Sequence, residues 1–228
     1  MMCRNIALIP AAGVGARFGA GKPKQYVEIN GKTVLQHTIE IFEQHSRIDL
    51  IAVILSPEDS VFQTAVSEKV RVFRVGGASR AETVRNGVSV LLEQGLAEAQ
   101  DNILVHDAAR CCLPPEALTR LLDEAGENDE GGILAIPVAD TLKRADGSHH
   151  IDETVARAGL WQAQTPQLFQ TALLNRALSV DDLSEITDEA SAVEKLGIRP
   201  RLVQGDTRNL KLTLPQDEYI VRLLLKAV

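Results

Sequence analysis

The sequence is poor in cysteine and aromatic residues, and it has no excess of positive charge. Its three cysteines include the adjacent pair Cys111 and Cys112, and no Cys-x-x-Cys spacing occurs. Neither a disulfide framework nor a zinc site is therefore expected, and we interpret the cysteines as reduced thiols of a cytoplasmic protein. The net charge of −7 disfavours a nucleic-acid partner, which requires a basic surface. No apolar run approaches the length of a membrane helix, so no membrane partner is expected.

What the chain does contain is a regular alternation of short apolar runs and helical patterns. Its 228 residues, 45% of them hydrophobic, fit one compact domain, residues 1–228. Strands are predicted at Ile6–Ile9, Leu50–Leu55, Val70–Val75, Ile103–Val105 and Ile133–Val138. Helices are predicted to begin near Val34, after Ser56, after Ser79, after Pro115, after Thr187 and near Gln216. Because the strands are continuously apolar, they indicate an α/β fold with a doubly wound, mostly parallel sheet.

A polar segment at about residues 138–160 interrupts this alternation. Asp146-Gly147 near its middle is a strong hairpin signal. A two-stranded hairpin with so few large apolar residues is marginal in water. We therefore expect a protruding arm that lies against a second copy of the chain in a homodimer.

The stretch after the first strand, residues 10–25, is rich in glycine and alanine, which lets a backbone approach a ligand closely. It is not a P-loop, because Ala16 and Pro23 stand where that loop needs Gly and Ser or Thr. A dinucleotide fingerprint would need Gly in place of Phe18, although a more widely spaced variant stays open. A nucleotidyltransferase loop fits better, because Arg17 and Lys24 can stabilise charge that builds up at an α-phosphorus.

Two further groups of residues follow predicted strands. His106–Arg110 comes after the fourth strand, and carboxyl ends of parallel strands are where such sheets bind ligands. Asp107 is predicted to hold Mg²⁺ that bridges phosphate oxygens, and Arg110 to meet an acceptor phosphate. The turn Gly76–Gly77 suits a base or ribose. Thr83 would be either a ligand contact or a partner for its own helix backbone.

Eight segments together resemble the 2-C-methyl-D-erythritol 4-phosphate cytidylyltransferases, enzymes of the non-mevalonate isoprenoid pathway. They are PAAGVGARFG, KPKQY, GGASRAETV, HDAAR, DTLKR, GLWQAQTPQ, TDEASA and GDTRNLKLT, in this order over almost the whole chain. The resemblance implies a Rossmann-like nucleotidyltransferase that transfers CMP from CTP to 2-C-methyl-D-erythritol 4-phosphate. It also implies a homodimer whose arms exchange.

The same resemblance implies a role for individual residues. Arg17 and Lys24 would be catalytic, and Asp107 would assist Mg²⁺ and substrate binding. The implied CTP contacts are Ala11, Ala12, Gly13, Gly77, Thr83 and Ala108. The implied acceptor-site positions are Thr141, Arg157, Thr165 and Lys211, of which Thr141 and Arg157 would serve the neighbouring subunit. The chain departs from the family pattern at Cys111, where members commonly have Pro, and at Ala78, where some have Asp.

The residues alone leave several functions open. A phosphomonoester is already an anion at neutral pH, so an attack on the α-phosphorus needs positioning and charge stabilisation rather than a general base. Another acceptor, such as a hexose 1-phosphate or ribitol 5-phosphate, is the nearest alternative. A non-catalytic nucleotide-binding regulator would not need both Arg17 and Lys24. A dehydrogenase would have to use the weak, spaced glycine pattern.

Overall fold

The protein is described by a computed structural model that covers residues 3–13, 23–63 and 67–226. Arg17, predicted to be catalytic, lies outside the described residues. In the described part of the chain, no helix is long and apolar enough to cross a membrane.

The described residues form eleven strands, seven of which make up a central sheet. They are β1 (Asn5–Pro10), β2 (Glu28–Ile29), β3 (Lys32–Thr33), β4 (Leu50–Ile54), β5 (Val70–Phe73), β6 (Asn102–Val105), β7 (Gly132–Pro137), β8 (Leu142–Ala145), β9 (Ile151–Val155), β10 (Trp161–Gln170) and β11 (Arg201–Gln204). The order in the central sheet is β11-β7-β10-β6-β1-β4-β5. β10 is antiparallel to both β6 and β7, whereas the other pairs are parallel. The predicted mostly parallel sheet is therefore confirmed.

Helices cover both faces of this sheet. They are α1 (Val34–Glu43), α2 (Arg80–Glu93), α3 (Pro115–Ala125), α4 (Thr171–Leu178), α5 (Glu189–Glu194) and α6 (Asp217–Leu224). Alternate residues of β1 face opposite layers: Ile9 packs with α1 and α3, and Leu8 packs with α2 and α4. Each such fully buried side chain contributes about 2 kcal/mol of transfer free energy, so the two apolar layers hold the strand ends in fixed positions.

The predicted helix after Ser56 is wrong over residues 57–63, which form a turn followed by irregular chain. The carboxylate of Asp59 accepts hydrogen bonds from the backbone N–H groups of Val61 and Phe62 at 3.1 and 3.0 Å. Such local side-chain bonds compete with the helical ladder. The same carboxylate also accepts the hydroxyl hydrogen of Tyr26, which ties the segment to the chain just after Lys24.

The polar segment forms the expected hairpin arm from β8 and β9, and most of its residues are exposed. Its turn is longer than an Asp-Gly pair. The Asp146 carboxylate accepts from the N–H groups of Ser148 and His150, and His149 rather than Gly147 has a positive φ of 63°. At the base of the arm, Trp161 of β10 pairs with Pro137 of β7. The arm is thus an excursion between two strands that pair directly.

Candidate functional site

A cleft of about 590 Å³ opens at the carboxyl ends of the parallel strands. It brings together most of the residues predicted to act: Ala11, Ala12, Gly13, Lys24, Gly77, Thr83, Asp107, Ala108 and Lys211. These residues come from five separate segments of the sequence, at 11–13, 24, 77–83, 107–108 and 211. Residues 11–13, 77–83 and 107–108 follow β1, β5 and β6, which run in the same direction in one sheet, so these loops share one edge of it.

The first wall of the cleft is the start of the glycine-rich loop. Buried Gln25 donates from Nε2 to the carbonyl oxygens of Ala11 and Gly13 at 2.9 and 3.0 Å. The Ala11 N–H donates to the Ile54 carbonyl at 2.8 Å. These bonds fix the backbone of residues 11–13 beside Lys24, which also lines the cleft. Gln25 was not predicted as a site residue, although it follows Lys24 in the KPKQY segment.

The second wall is the turn before α2. A Cβ on Gly76 would overlap the Ala12 side chain and the Leu55 carbonyl, so the two glycine loops lie in direct contact. The Gly77 N–H donates to the Thr83 hydroxyl at 3.1 Å, and that hydroxyl donates to the Ser79 carbonyl at 2.9 Å. Thr83 therefore satisfies its own helix backbone, one of the two roles that the sequence left open, while it also lines the cleft.

Asp107 stands between two cations at the third wall. Its Oδ1 accepts from Arg80 Nε at 2.8 Å, and its Oδ2 lies 2.7 Å from Lys211 Nζ. Burial alone would raise the pKa of Asp107, but the charges of Arg80 and Lys211 outweigh burial and hold that pKa far below its usual range. Asp107 is thus a fixed anion whose charge is balanced from both sides.

Behind Asp107 lies a neutral, buried His106. A carbonyl only accepts, so the 2.9 Å contact with the Arg110 carbonyl places the proton on His106 Nε2. Nδ1 then accepts from the Thr165 hydroxyl at 3.0 Å, and that hydroxyl accepts from the Asp107 N–H at 3.0 Å. Burial lowers the pKa of His106 to about 4, which agrees with a neutral ring. Thr165 thereby fixes the Asp107 backbone.

Four predicted acceptor residues do not line this cleft, and one of them is Thr165, which is buried behind Asp107. The Arg110 guanidinium is turned to the Asn209 carbonyl at 2.6 Å, and its Nε is 3.9 Å from Asp107. Thr141 and Arg157 are exposed at the base of the arm, where Arg157 lines a shallow groove with residues 137–139 and 158–161. Within one chain, these two residues do not join Asp107.

Two charged residues that sequence reasoning missed complete the site. Arg80, at the start of α2, lines the cleft and pairs with both Asp107 and Glu189. Its position just after a glycine turn at a strand end was a signal that could have drawn attention to it. Glu189 lies in the TDEASA segment, and nothing local in the sequence connects it to the cleft.

The carboxylate of Asp107 fits a metal ion that arrives with a nucleotide. Within the described ranges, no cluster of three or more His, Cys, Asp or Glu side chains is placed to hold a metal. Asp107 presents a single carboxylate to the cleft. Mg²⁺ bound mainly by substrate phosphates and water needs only one or two carboxylates, so the donor set suits such an ion.

Cations and backbone loops, rather than a nucleophile with its base, face this cleft. No histidine or cysteine lines its described part. On a parallel α/β sheet, this arrangement defines a nucleotidyltransferase, because transfer from a triphosphate requires mainly positioning and charge stabilisation. Residues 5–227 match the 2-C-methyl-D-erythritol 4-phosphate cytidylyltransferase family, and the chain belongs to that family.

Individual relatives agree over their whole length. A 2-C-methyl-D-erythritol 4-phosphate cytidylyltransferase of Neisseria meningitidis serogroup C is 70% identical over 231 residues, with 100% of both chains covered. One of Chromobacterium violaceum is 50% identical and covers 97% of this chain and 98% of its own. A crystal structure of a 4-diphosphocytidyl-2C-methyl-D-erythritol synthase has a TM-score of 0.87 at 62% identity, covering 99% and 100%. The Francisella tularensis cytidylyltransferase has a TM-score of 0.82 at 32% identity, covering 97% and 99%.

Proposed function

We propose that this chain transfers CMP from CTP to 2-C-methyl-D-erythritol 4-phosphate, giving 4-diphosphocytidyl-2-C-methyl-D-erythritol and pyrophosphate. The observation that carries the proposal is the family match over residues 5–227, together with a 70% identical relative of that name. The comparisons do not favour a different acceptor such as ribitol 5-phosphate.

The chemistry follows from the charges that meet in the cleft. The acceptor phosphate attacks the α-phosphorus of CTP in line with the leaving pyrophosphate, and it needs no general base because it is already an anion. Lys24, together with the predicted catalytic Arg17, stabilises the charge that builds up at phosphorus. Lys24 faces the same cleft as Asp107 and Lys211, which supports this assignment.

Mg²⁺ is the proposed cofactor, with Asp107 as its protein ligand. A bound Mg²⁺ neutralises charge on phosphate oxygens. Asp107 is suited to it because the nearby cations keep this carboxylate ionised. The cytoplasm remains the predicted site of action.

The acceptor site is proposed to be completed by a second copy of the chain. Thr141 and Arg157 do not line the cleft of their own chain. The arm exposes apolar side chains at its tip and base, with Ile151 67% and Trp161 37% exposed. A two-fold dimer would cover them and place each arm at the other subunit, where the Arg157 guanidinium can bind two phosphate oxygens at once.

The reaction is tested by pyrophosphate release from each of the four ribonucleoside triphosphates, combined with a panel of sugar-alcohol and sugar phosphates. We expect release only with CTP and 2-C-methyl-D-erythritol 4-phosphate, and a product whose mass is that of the CMP adduct. Faster turnover with ribitol 5-phosphate, or with another nucleotide, would refute the assignment.

A further inference from the structure

Glu189 is a buried carboxylate for which the proposed reaction has no use. It lies in the first turn of α5, and only 1% of its surface is exposed. Burial raises its pKa above the usual range, although Arg80 opposes the shift. A charged carboxylate in such a place is costly unless it is paired and hydrogen-bonded. Its partner, Arg80, lines the cleft.

Arg80 binds Glu189 with one end of its guanidinium and Asp107 with the other. Nη1 and Nη2 donate to the two Glu189 oxygens at 2.7 and 3.0 Å, and Nε donates to Asp107 Oδ1 at 2.8 Å. The guanidinium is planar, so two bonds to Glu189 fix the direction of the third N–H. Glu189 thereby aims Arg80 at Asp107.

Glu189 is itself held on a rigid support. Asp188 and Ser191 form a capping box at the start of α5. Gln167 of β10 then joins that helix to the sheet: its Nε2 donates to Asp188 Oδ2 at 2.9 Å, and its Oε1 accepts from the Ala190 N–H at 2.8 Å. The TDEASA segment therefore fixes the Glu189 carboxylate relative to the central sheet.

The two cations beside Asp107 differ in how firmly they are held. Arg80 is anchored by Glu189, and its side chain is 29% exposed. Lys211 is 38% exposed, and among the described residues Asp107 is the carboxylate that it meets. Lys211 can therefore turn to a substrate phosphate, whereas Arg80 keeps its place.

We propose that Arg80 is a positioning residue for Asp107, and that Glu189 prevents Arg80 from turning to the incoming triphosphate. This inference rests on the proposed function. With Arg80 anchored, Asp107 keeps its hydrogen bond to Arg80 and its orientation when Lys211 leaves it, whereas the Arg110 Nε stays farther away at 3.9 Å. Without the ion pair to Glu189, the Arg80 side chain would turn to the triphosphate, which is the strongest nearby anion. Asp107 would then lose the hydrogen bond that fixes its orientation.

The test is a double-mutant cycle with Glu189→Gln and Asp107→Asn. Glutamine keeps the shape of Glu189 but has one acceptor oxygen and no charge, so the two-pronged anchor is lost. We expect kcat to fall about 10-fold or more, as for supporting residues of other sites. KM for CTP should stay unchanged or fall, because the released Arg80 can meet the triphosphate. In the Asp107→Asn variant, Glu189→Gln should lower kcat by less than about 3-fold. Glu189 acts on kcat through the Asp107 carboxylate, and this variant has already lost that carboxylate.

Glu185→Gln is the matched control, because Glu185 pairs with Lys195 at 2.7 Å but is 79% exposed. It should leave kcat unchanged. If Glu189→Gln does not fold, as judged by circular dichroism, Arg80→Lys replaces it in the cycle. Lysine keeps the positive charge but cannot make the paired guanidinium hydrogen bonds to Glu189. If the fold-loss of kcat in the double variant equals the product of the two single losses, Glu189 does not act through Asp107 and the inference is wrong. Wild-type protein without CMP transfer would instead contradict the proposed function.

Discussion

Lys24 follows Pro23, whose φ of −56° restricts the backbone at the edge of the cleft. We predict that Lys24→Ala, and likewise Arg17→Ala, lowers kcat by about 10²–10³ while CTP binding changes little, because such donors act mainly on the transition state. Steady-state kinetics together with calorimetric titration of CTP would measure both quantities. Lys32→Ala is the control, since Lys32 pairs with Glu40 on the surface. Unchanged kcat in both loop variants would remove these residues from the mechanism.

Asp107 gives a prediction about metal dependence. Activity should disappear in excess chelator and return when Mg²⁺ is added. Asp107→Asn should need more Mg²⁺ for half-maximal activity, because the amide is a weaker ligand than the ionised carboxylate. Activity titrated against Mg²⁺ at saturating CTP would show the shift. Full turnover in the presence of the chelator would contradict the proposed cofactor.

His106 gives a prediction about stability and pH. Burial lowers its pKa to about 4 in the folded chain, whereas an unfolded histidine takes up a proton near 6.5. The contribution of neutral His106 to the free energy of unfolding is therefore complete above pH 6.5. It is lost as the pH falls towards 4, by up to about 3 kcal/mol.

Urea unfolding at several pH values should show this pH dependence of the free energy of unfolding, and His106→Gln should flatten it. His150→Gln, a change on the exposed arm, should keep the wild-type slope. A slope that survives in His106→Gln would assign it to other groups.

At the scale of elements, the close contact between the turn at Gly76 and the loop at Ala12 can be tested by adding one methyl group. Gly76→Ala would push the turn before α2 away from Ala12 and the Leu55 carbonyl. Since a displacement of about 1 Å in a binding site can cost up to about 10²-fold, KM for CTP should rise about 10-fold or more. Gly147→Ala is the control, because no atom lies within 4 Å of a Cβ at this position, and it should leave KM for CTP unchanged. Wild-type KM in Gly76→Ala would show that the loops can separate freely.

Four of the five predicted strands, β1, β4, β6 and β7, share one property, which is a run of buried apolar residues. Both faces of these strands are covered, and this leaves an uninterrupted apolar run, whereas the edge strand β5 carries the exposed Arg71. β10 escaped prediction because its buried half contains Gln164, Thr165 and Gln167, which satisfy loop and helix backbone groups instead of packing as apolar side chains. Its polarity is a property of the tertiary structure, and no local pattern reveals it.

The same distinction separates the predicted site residues from the missed ones. Lys24 and Asp107 stand beside glycine turns or strand ends, so their positions follow from the order of the elements. Glu189 lies 109 positions from Arg80, and the two meet only when α5 packs on the sheet. Partnerships over such distances depend on the complete fold, and a single sequence does not specify them.

At the scale of the whole molecule, the proposed exchange of arms can be decided by mixing two inactive proteins. One carries Lys24→Ala and the other carries Arg157→Ala. If the arms exchange, a mixed dimer has one site with both defects and one with neither, so activity should reappear at about a quarter of wild type after random mixing. Each variant incubated alone is the control. If labelled subunits exchange and no activity returns, each arm serves its own subunit.

The place where the arm joins the sheet has a consequence for how this protein can evolve. The chain leaves β7 and returns to β10 at neighbouring points, where the Val138 N–H donates to the Leu160 carbonyl at 3.0 Å. An insertion between such closely spaced ends can be lengthened, shortened or exchanged with little effect on the strands that flank it. Changes in the arm and changes in the nucleotide cleft are therefore separable by mutation. If the arm serves subunit pairing and acceptor binding as proposed, natural selection can alter both through one short stretch of gene, while the nucleotide cleft is inherited intact.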